Sequence, residues 1–171
     1  MVYCLDAAAC RNYDVSSRRE WLLADGRGGY AMGTVAGVNT RRYHVHLVAA
    51  TTPPTGRMVL LANVDAFVQA EGTPIGISTN QYPGALNPEG YLYLESFQVG
   101  QAAEWRWRLP GGLAVQKTLA LTAGASTVRY TNVGEKPILL TLRPLVSHRP
   151  HHGDFDARLD YPGEVAVTKN A

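Results

Sequence analysis

The sequence predicts an all-β protein, an antiparallel β-sandwich. Three observations carry that reading. Apolar residues recur with period two in most segments, Gly- and Pro-rich turn signals separate those segments at about ten-residue spacing, and helical periodicity is almost absent. With 171 residues, the chain has room for one domain with its own core, read here as a single unit over 1–171.

The elements follow in chain order. Ser17-Arg-Arg-Glu20 fits a helix capping box, but the run behind it ends at Asp25-Gly26, so Glu20-Trp-Leu-Leu-Ala24 is read as a strand. Asp25-Gly26 then makes a tight turn, and the glycines after it let strands approach closely. Over 42–48, Tyr43, Val45 and Leu47 alternate with Arg42, His44 and His46, which predicts a half-buried strand with a cationic face. Residues 57–70 form an apolar strand that breaks at Glu71-Gly72, and the turn-rich stretch 71–90 reads as a loop inserted between strands. In 91–99, Tyr91, Tyr93 and Phe97 fall on one face and Leu92 and Leu94 on the other. Trp105, Trp107 and Leu109 alternate with Arg106 and Arg108, and Leu113, Val115, Leu119 and Leu121 alternate with polar or small residues. Residues 126–146 hold two strands around Asn132-Val133-Gly134-Glu135, a hairpin signal. A further strand begins at 163–170 and the chain stops at Ala171, the ending of an incomplete domain. The total is seven or eight strands.

Composition excludes several functions. A formal charge of +2, with basic pairs only at Arg18-Arg19 and Arg41-Arg42, leaves no stripe for a nucleic-acid backbone. Cys4 and Cys10 form neither a C-x-x-C motif nor a disulfide framework. No leader peptide and no apolar run of membrane-spanning length is present, so the reading is a reduced, cytoplasmic protein without a membrane partner. Gly26-Arg-Gly-Gly-Tyr-Ala31 formally fits a dinucleotide fingerprint, but no helix pattern follows and no acidic residue stands where the ribose contact requires one. No P-loop and no G-x-S-x-G elbow occurs, and Glu20, Asp65, Glu95, Glu104 and Asp154 show no glycosidase-like pairing. The chain therefore offers no catalytic set and no cofactor site of its own.

Two other constellations stand out. His44 and His46, read on one strand face, could join His148, His151 or His152 and Asp154 around a metal, although Arg41, Arg42 and Arg149 beside them oppose a dication. Tyr43, Tyr91, Tyr93, Trp105 and Trp107 could stack on sugar rings while Arg42, His44 and Arg149 donate to hydroxyls, or the same aromatics could fill a sandwich core.

The stretch from Glu20 to Ala49, "EWLLADGRGGYAMGTVAGVNTRRYHVHLVA", closely resembles the start of bacterial and archaeal glycogen debranching enzymes. Residues 53–68 resemble the next strand of that family, and 112–152 its later strands, including an R-P-L-x-x-x-R-x-x-H segment at Arg143, Pro144, Leu145, Arg149 and His152. The chain departs from the pattern at Asp25 (usually Asn), at Val45-His46 (usually Gly-Leu) and at Pro150-His151 (usually Asp-Tyr). The resemblance implies a supersandwich-like N-terminal domain of the glucoamylase type. In that family it precedes an (α/α)6 barrel that carries the catalytic carboxylates and cleaves α-1,6 branch points of glycogen-like glucans. The barrel and the α-glucan are the implied partners. Arg41, Arg42, His44, Arg149 and His152 are the candidate residues for substrate binding or for the domain interface, with no catalytic residue and no metal. A free-standing carbohydrate-binding module and a His-ligated metal-dependent sandwich enzyme are the alternatives.

Overall fold

Period-two alternation becomes strand almost wherever it occurs. The structure is a computed structural model and describes residues 2–154, so the expected strand at 163–170 lies outside the described residues. The elements run β1 (Tyr3–Leu5), α1 (Ala7–Arg11), α2 (Tyr13–Ser16), β2 (Glu20–Ala24), β3 (Tyr30–Thr34), β4 (Val45–Thr52) and β5 (Thr55–Gln69). After them come β6 (Ile75–Gly76), β7 (Thr79–Tyr82), β8 (Ala85–Glu89), β9 (Leu94–Val99), β10 (Ala102–Arg108), β11 (Ala114–Thr122), β12 (Ala125–Asn132) and β13 (Leu139–Pro150).

Two antiparallel sheets face each other. One has five strands in the order β1-β9-β10-β11-β12, the other runs β13-β5-β4-β3-β2 with β6 also paired to β5, and β7-β8 form a separate small ribbon. The alternating side chains of the two inner faces make the core, as a sandwich requires. Trp21 and Leu23 on β2, Ala31 on β3 and Val68 on β5 meet Phe97, Trp105, Trp107 and Leu119 from the other sheet. Trp21 and Trp105 stack edge to face with ring centroids 5.3 Å apart. Each large apolar side chain buried this way stabilises the fold by roughly 1.5–3 kcal/mol. A smaller cluster of Val45, Val48 and Val59 packs with Tyr30. Val45, which stands where the resembling family has glycine, is thus a core residue.

The turn at Asp25 is built as its sequence suggests. Asp25 Oδ1 accepts from the backbone N–H of Arg27 (2.8 Å) and Gly29 (2.9 Å), and Oδ2 accepts from Gly124 N–H (2.9 Å). These N–H donors hold its carboxyl below the usual Asp range. Gly28 has φ +100°, and a Cβ there would meet the carbonyl of Pro54.

Several expectations change. The pair around Asn132 is not a hairpin, because β12 pairs with β11 while β13 crosses to the other sheet and pairs with β5. The loop 71–90 contains β6, β7 and β8. Residues 90–93 form a 3-10 turn, which breaks the alternation of 91–99, so Leu94 and Phe97 are both buried. Ser17 ends α2, and Glu20–Ala24 is the strand expected rather than a helix begun at Ser17. The two short helices themselves escape a periodicity test because each is little more than one turn. They are fixed by caps, with the Asp6 and Asn12 side chains accepting from the N–H groups of Ala9 and Val15.

The edge strand β13 is unusual. Leu139, Leu142, Leu145 and Val146 along it are all exposed. Both faces of this strand are therefore largely uncovered among the described residues.

Candidate functional site

Strand β4 begins only at Val45, so residues 40–44 form a turn that carries Arg41, Arg42, Tyr43 and His44. It lies beside the end of β13, where Arg149 sits, and the turn at 151–154 that follows. The structure brings all five expected residues to this one corner, in two linked groups.

The first group is built on Arg149. Its guanidinium donates to the carbonyl of Arg42 at 2.6 Å and to that of Gly153 at 2.7 Å. Arg42 answers by donating to the carbonyl of His152 at 2.8 Å, with its head 3.6 Å from the Asp154 carboxylate. The Tyr43 hydroxyl and Nδ1 of His152 are 3.1 Å apart. His151 stacks on His152 with centroids 3.8 Å apart, and burial together with the neighbouring His152 lowers its pKa. Segments more than 100 residues apart in sequence are thus laced by donors to backbone carbonyls.

The second group is built on Glu20 at the start of β2. Its Oε1 is shared by Nε of Arg41 (2.9 Å) and Nε2 of His44 (3.2 Å). Nδ1 of His44 accepts from Thr40 N–H at 3.0 Å, so the ring proton is on Nε2 and is donated to Glu20. His44 is 1% exposed, and burial lowers its pKa despite the carboxylate, which pulls the other way. The ring is therefore neutral at physiological pH. Arg41 stands at the rim, its side chain 60% exposed. Asn39, Thr40, Arg41, Arg42, Arg149 and Asp154 line the shallow cleft that results.

The expected cationic strand face is not present. His44 precedes the strand, and His46 points inward with 6% exposure, where Nε2 lies 3.2 Å from Nζ of Lys117 on β11. Burial and the lysine hold the His46 pKa well below the usual value, and burial brings Lys117 down to about 7. The two histidines therefore engage different partners, and among the described residues no group of three or more His, Cys, Asp or Glu could hold a metal ion. The aromatic platforms are mostly core. Trp105 and Trp107 are 3% and 6% exposed, and Tyr91 and Tyr93 pack against the core. Of the proposed stacking residues, Tyr43 stays at the surface, beside the histidines.

Sequence reasoning missed Glu20 as a member of this corner, because only strand pairing brings it there, and Thr40, whose backbone N–H meets Nδ1 of His44 inside the turn. Lys117 was also missed, although its position between Val115 and Leu119 places it on the inward side of β11.

Among the described residues no helix is long and apolar enough to cross a membrane. No curated protein and no solved structure matches this chain. Residues 19–165, however, match the family described as glycogen debranching enzyme N terminal, and that span contains β2 to β13 and every residue of the corner. The chain thus belongs to the glycogen debranching enzyme N-terminal family.

Proposed function

We propose that the chain serves as the non-catalytic sandwich of a protein that hydrolyses α-1,6 branch points in glycogen-like glucans. In this reading it packs on an (α/α)6 catalytic barrel, and the corner of Arg41, Arg42, His44, Arg149 and His152 borders the glucan entrance. The observation that carries the proposal is the Arg149 clasp, which holds the 40–44 turn in a fixed position and so presents Arg41 at a preorganised rim. Arg42, Arg149 and His152 serve as positioning residues there, since Arg149 and one nitrogen of Arg42 donate to backbone carbonyls and Nδ1 of His152 meets the Tyr43 hydroxyl. Arg41 keeps guanidinium nitrogens for sugar hydroxyls or for barrel carbonyls.

Five carboxylates of the sandwich support a non-catalytic role, because they are engaged in its framework. Glu20 holds Arg41 and His44, Asp25 caps its turn, and Asp65 accepts from Asn80. Glu95 pairs with Arg106 and Arg108, which lower its pKa, and Glu104 accepts from Gln98 and Gln116. The module reading loses its base with the burial of all three tryptophans, and the metal reading with the separation of His44 from His46.

The test is made with the protein joined to its barrel. Arg41→Ala is expected to raise KM for branched glucan several-fold while leaving kcat near its original value. Titrating the 171-residue chain alone with maltooligosaccharide by calorimetry is expected to give no saturation below the millimolar range. Tight binding by the isolated chain, or unchanged kinetics in the variant, would overturn the reading.

A further inference from the structure

A narrow cavity of about 20 Å³ runs between the two sheets, and its lining includes His46, Asn63, Ser78, Trp107 and Lys117. That is room for a water molecule. Two buried polar atoms of these lining residues, Nδ1 of His46 and Nε1 of Trp107, have no hydrogen-bond partner in the protein among the described residues. Both residues are only 6% exposed, so bulk solvent does not satisfy them. The other two indoles are served: Trp21 donates to the carbonyl of Thr34 at 3.1 Å and Trp105 to that of Val35 at 3.0 Å. A buried donor left unmet is destabilising, because it has given up its bond to water. Two such groups on residues that line one small cavity can be met by a single acceptor.

The protonation pattern says what kind. Lys117 Nζ lies 3.2 Å from His46 Nε2 and is itself 4.9 Å above the Trp105 ring. As an ammonium Lys117 can only donate, so Nε2 accepts and the single proton of the neutral ring belongs on Nδ1. Nδ1–H and the Trp107 indole N–H are then both donors. A guest with two lone pairs and small enough for the cavity meets both. Asn63 and Ser78 line the same cavity, their side-chain oxygens accepting from the N–H groups of Val64 and Ala66.

We propose that this cavity is a fixed site for one water molecule, which accepts from Nδ1 of His46 and Nε1 of Trp107 and so bridges β4 and β10 across the sandwich. The site stands apart from the arginine corner, although Asn39 at its edge also lines that cleft.

The whole 171-residue chain, labelled with 15N, tests the proposal without any mutation. Water-selective cross-relaxation spectra should show a persistent contact from water to the Trp107 indole proton and none to those of Trp21 and Trp105. Long-range 1H–15N spectra should place the His46 proton on Nδ1. A proton on Nε2, or a Trp107 indole without a water contact, overturns the proposal. So does a chloride-dependent shift of that indole, which would make the guest a halide. Trp107→Phe assigns the resonance by its loss, and sequential backbone connectivities assign it if that variant does not fold.

Discussion

Lys117 is the residue whose chemistry departs furthest from its surroundings. Its ammonium is buried between the sheets, over the rings of Trp105 and Tyr130, and burial brings its pKa to about 7. In the unfolded chain the same group titrates at about 10.4. Between these values the unfolded state binds more protons, so stability rises with pH. The penalty vanishes above the unfolded value, grows as pH falls, and is fully present below about 7. At pH 7 it amounts to roughly 4 kcal/mol, and about 2 kcal/mol of that is recovered by pH 9. Lys117→Met is expected to raise stability at pH 7 by about 1–3 kcal/mol net, since it also leaves His46 without its partner. Urea titrations at pH 7 and pH 9 should show the wild type gaining stability and the variant nearly flat. Alternation placed Lys117 inward. Its partner His46 lies 71 residues away on the opposite sheet, and no local pattern carries that pairing.

At the scale of elements, β2, β4, β5 and β10 to β12 were legible because a strand half buried in a sandwich writes its two faces into alternate residues, whereas β6, β7 and β8 are too short to show alternation and fall in the stretch read as a loop. The same pattern is silent about which edge a strand joins. The turn after β12 looks like a hairpin turn, yet its polar groups close on themselves and on β11. Asn132 Oδ1 accepts from Gly134 N–H at 3.0 Å, and Val133 N–H reaches the carbonyl of Ala114 at 3.0 Å. The chain is then free to cross to β5, whose 15 residues offer β13 a far longer partner. Corner residues were legible in part. Arg41, Arg42, His44, Arg149 and His152 do come together, whereas Glu20 joins them only through the β2–β3 pairing. The β2–β3 turn also gives a test of close approach. Gly28→Ala is expected to cost about 1–3 kcal/mol, because the new methyl needs a left-handed backbone and strikes Pro54. Thermal unfolding should show the drop, while Gly26→Ala, with open space around it, should lose less.

For the molecule as a whole, the sandwich gathers its aromatic mass inside and leaves polar pairs on the outer face of the five-stranded sheet, such as Glu95 with Arg106 and Arg108. Such a division suits a scaffold more than a sugar platform. The exception is β13, with its four large aliphatic side chains open to water. Natural edge strands are normally blunted by charge or covered, because a long bare one recruits other strands. Handled without a covering neighbour, this protein should therefore clump as its concentration rises, by sheets joining rim to rim. Leu142→Lys, a gatekeeper on that rim, is expected to raise the concentration at which light scattering climbs, with little change in melting temperature.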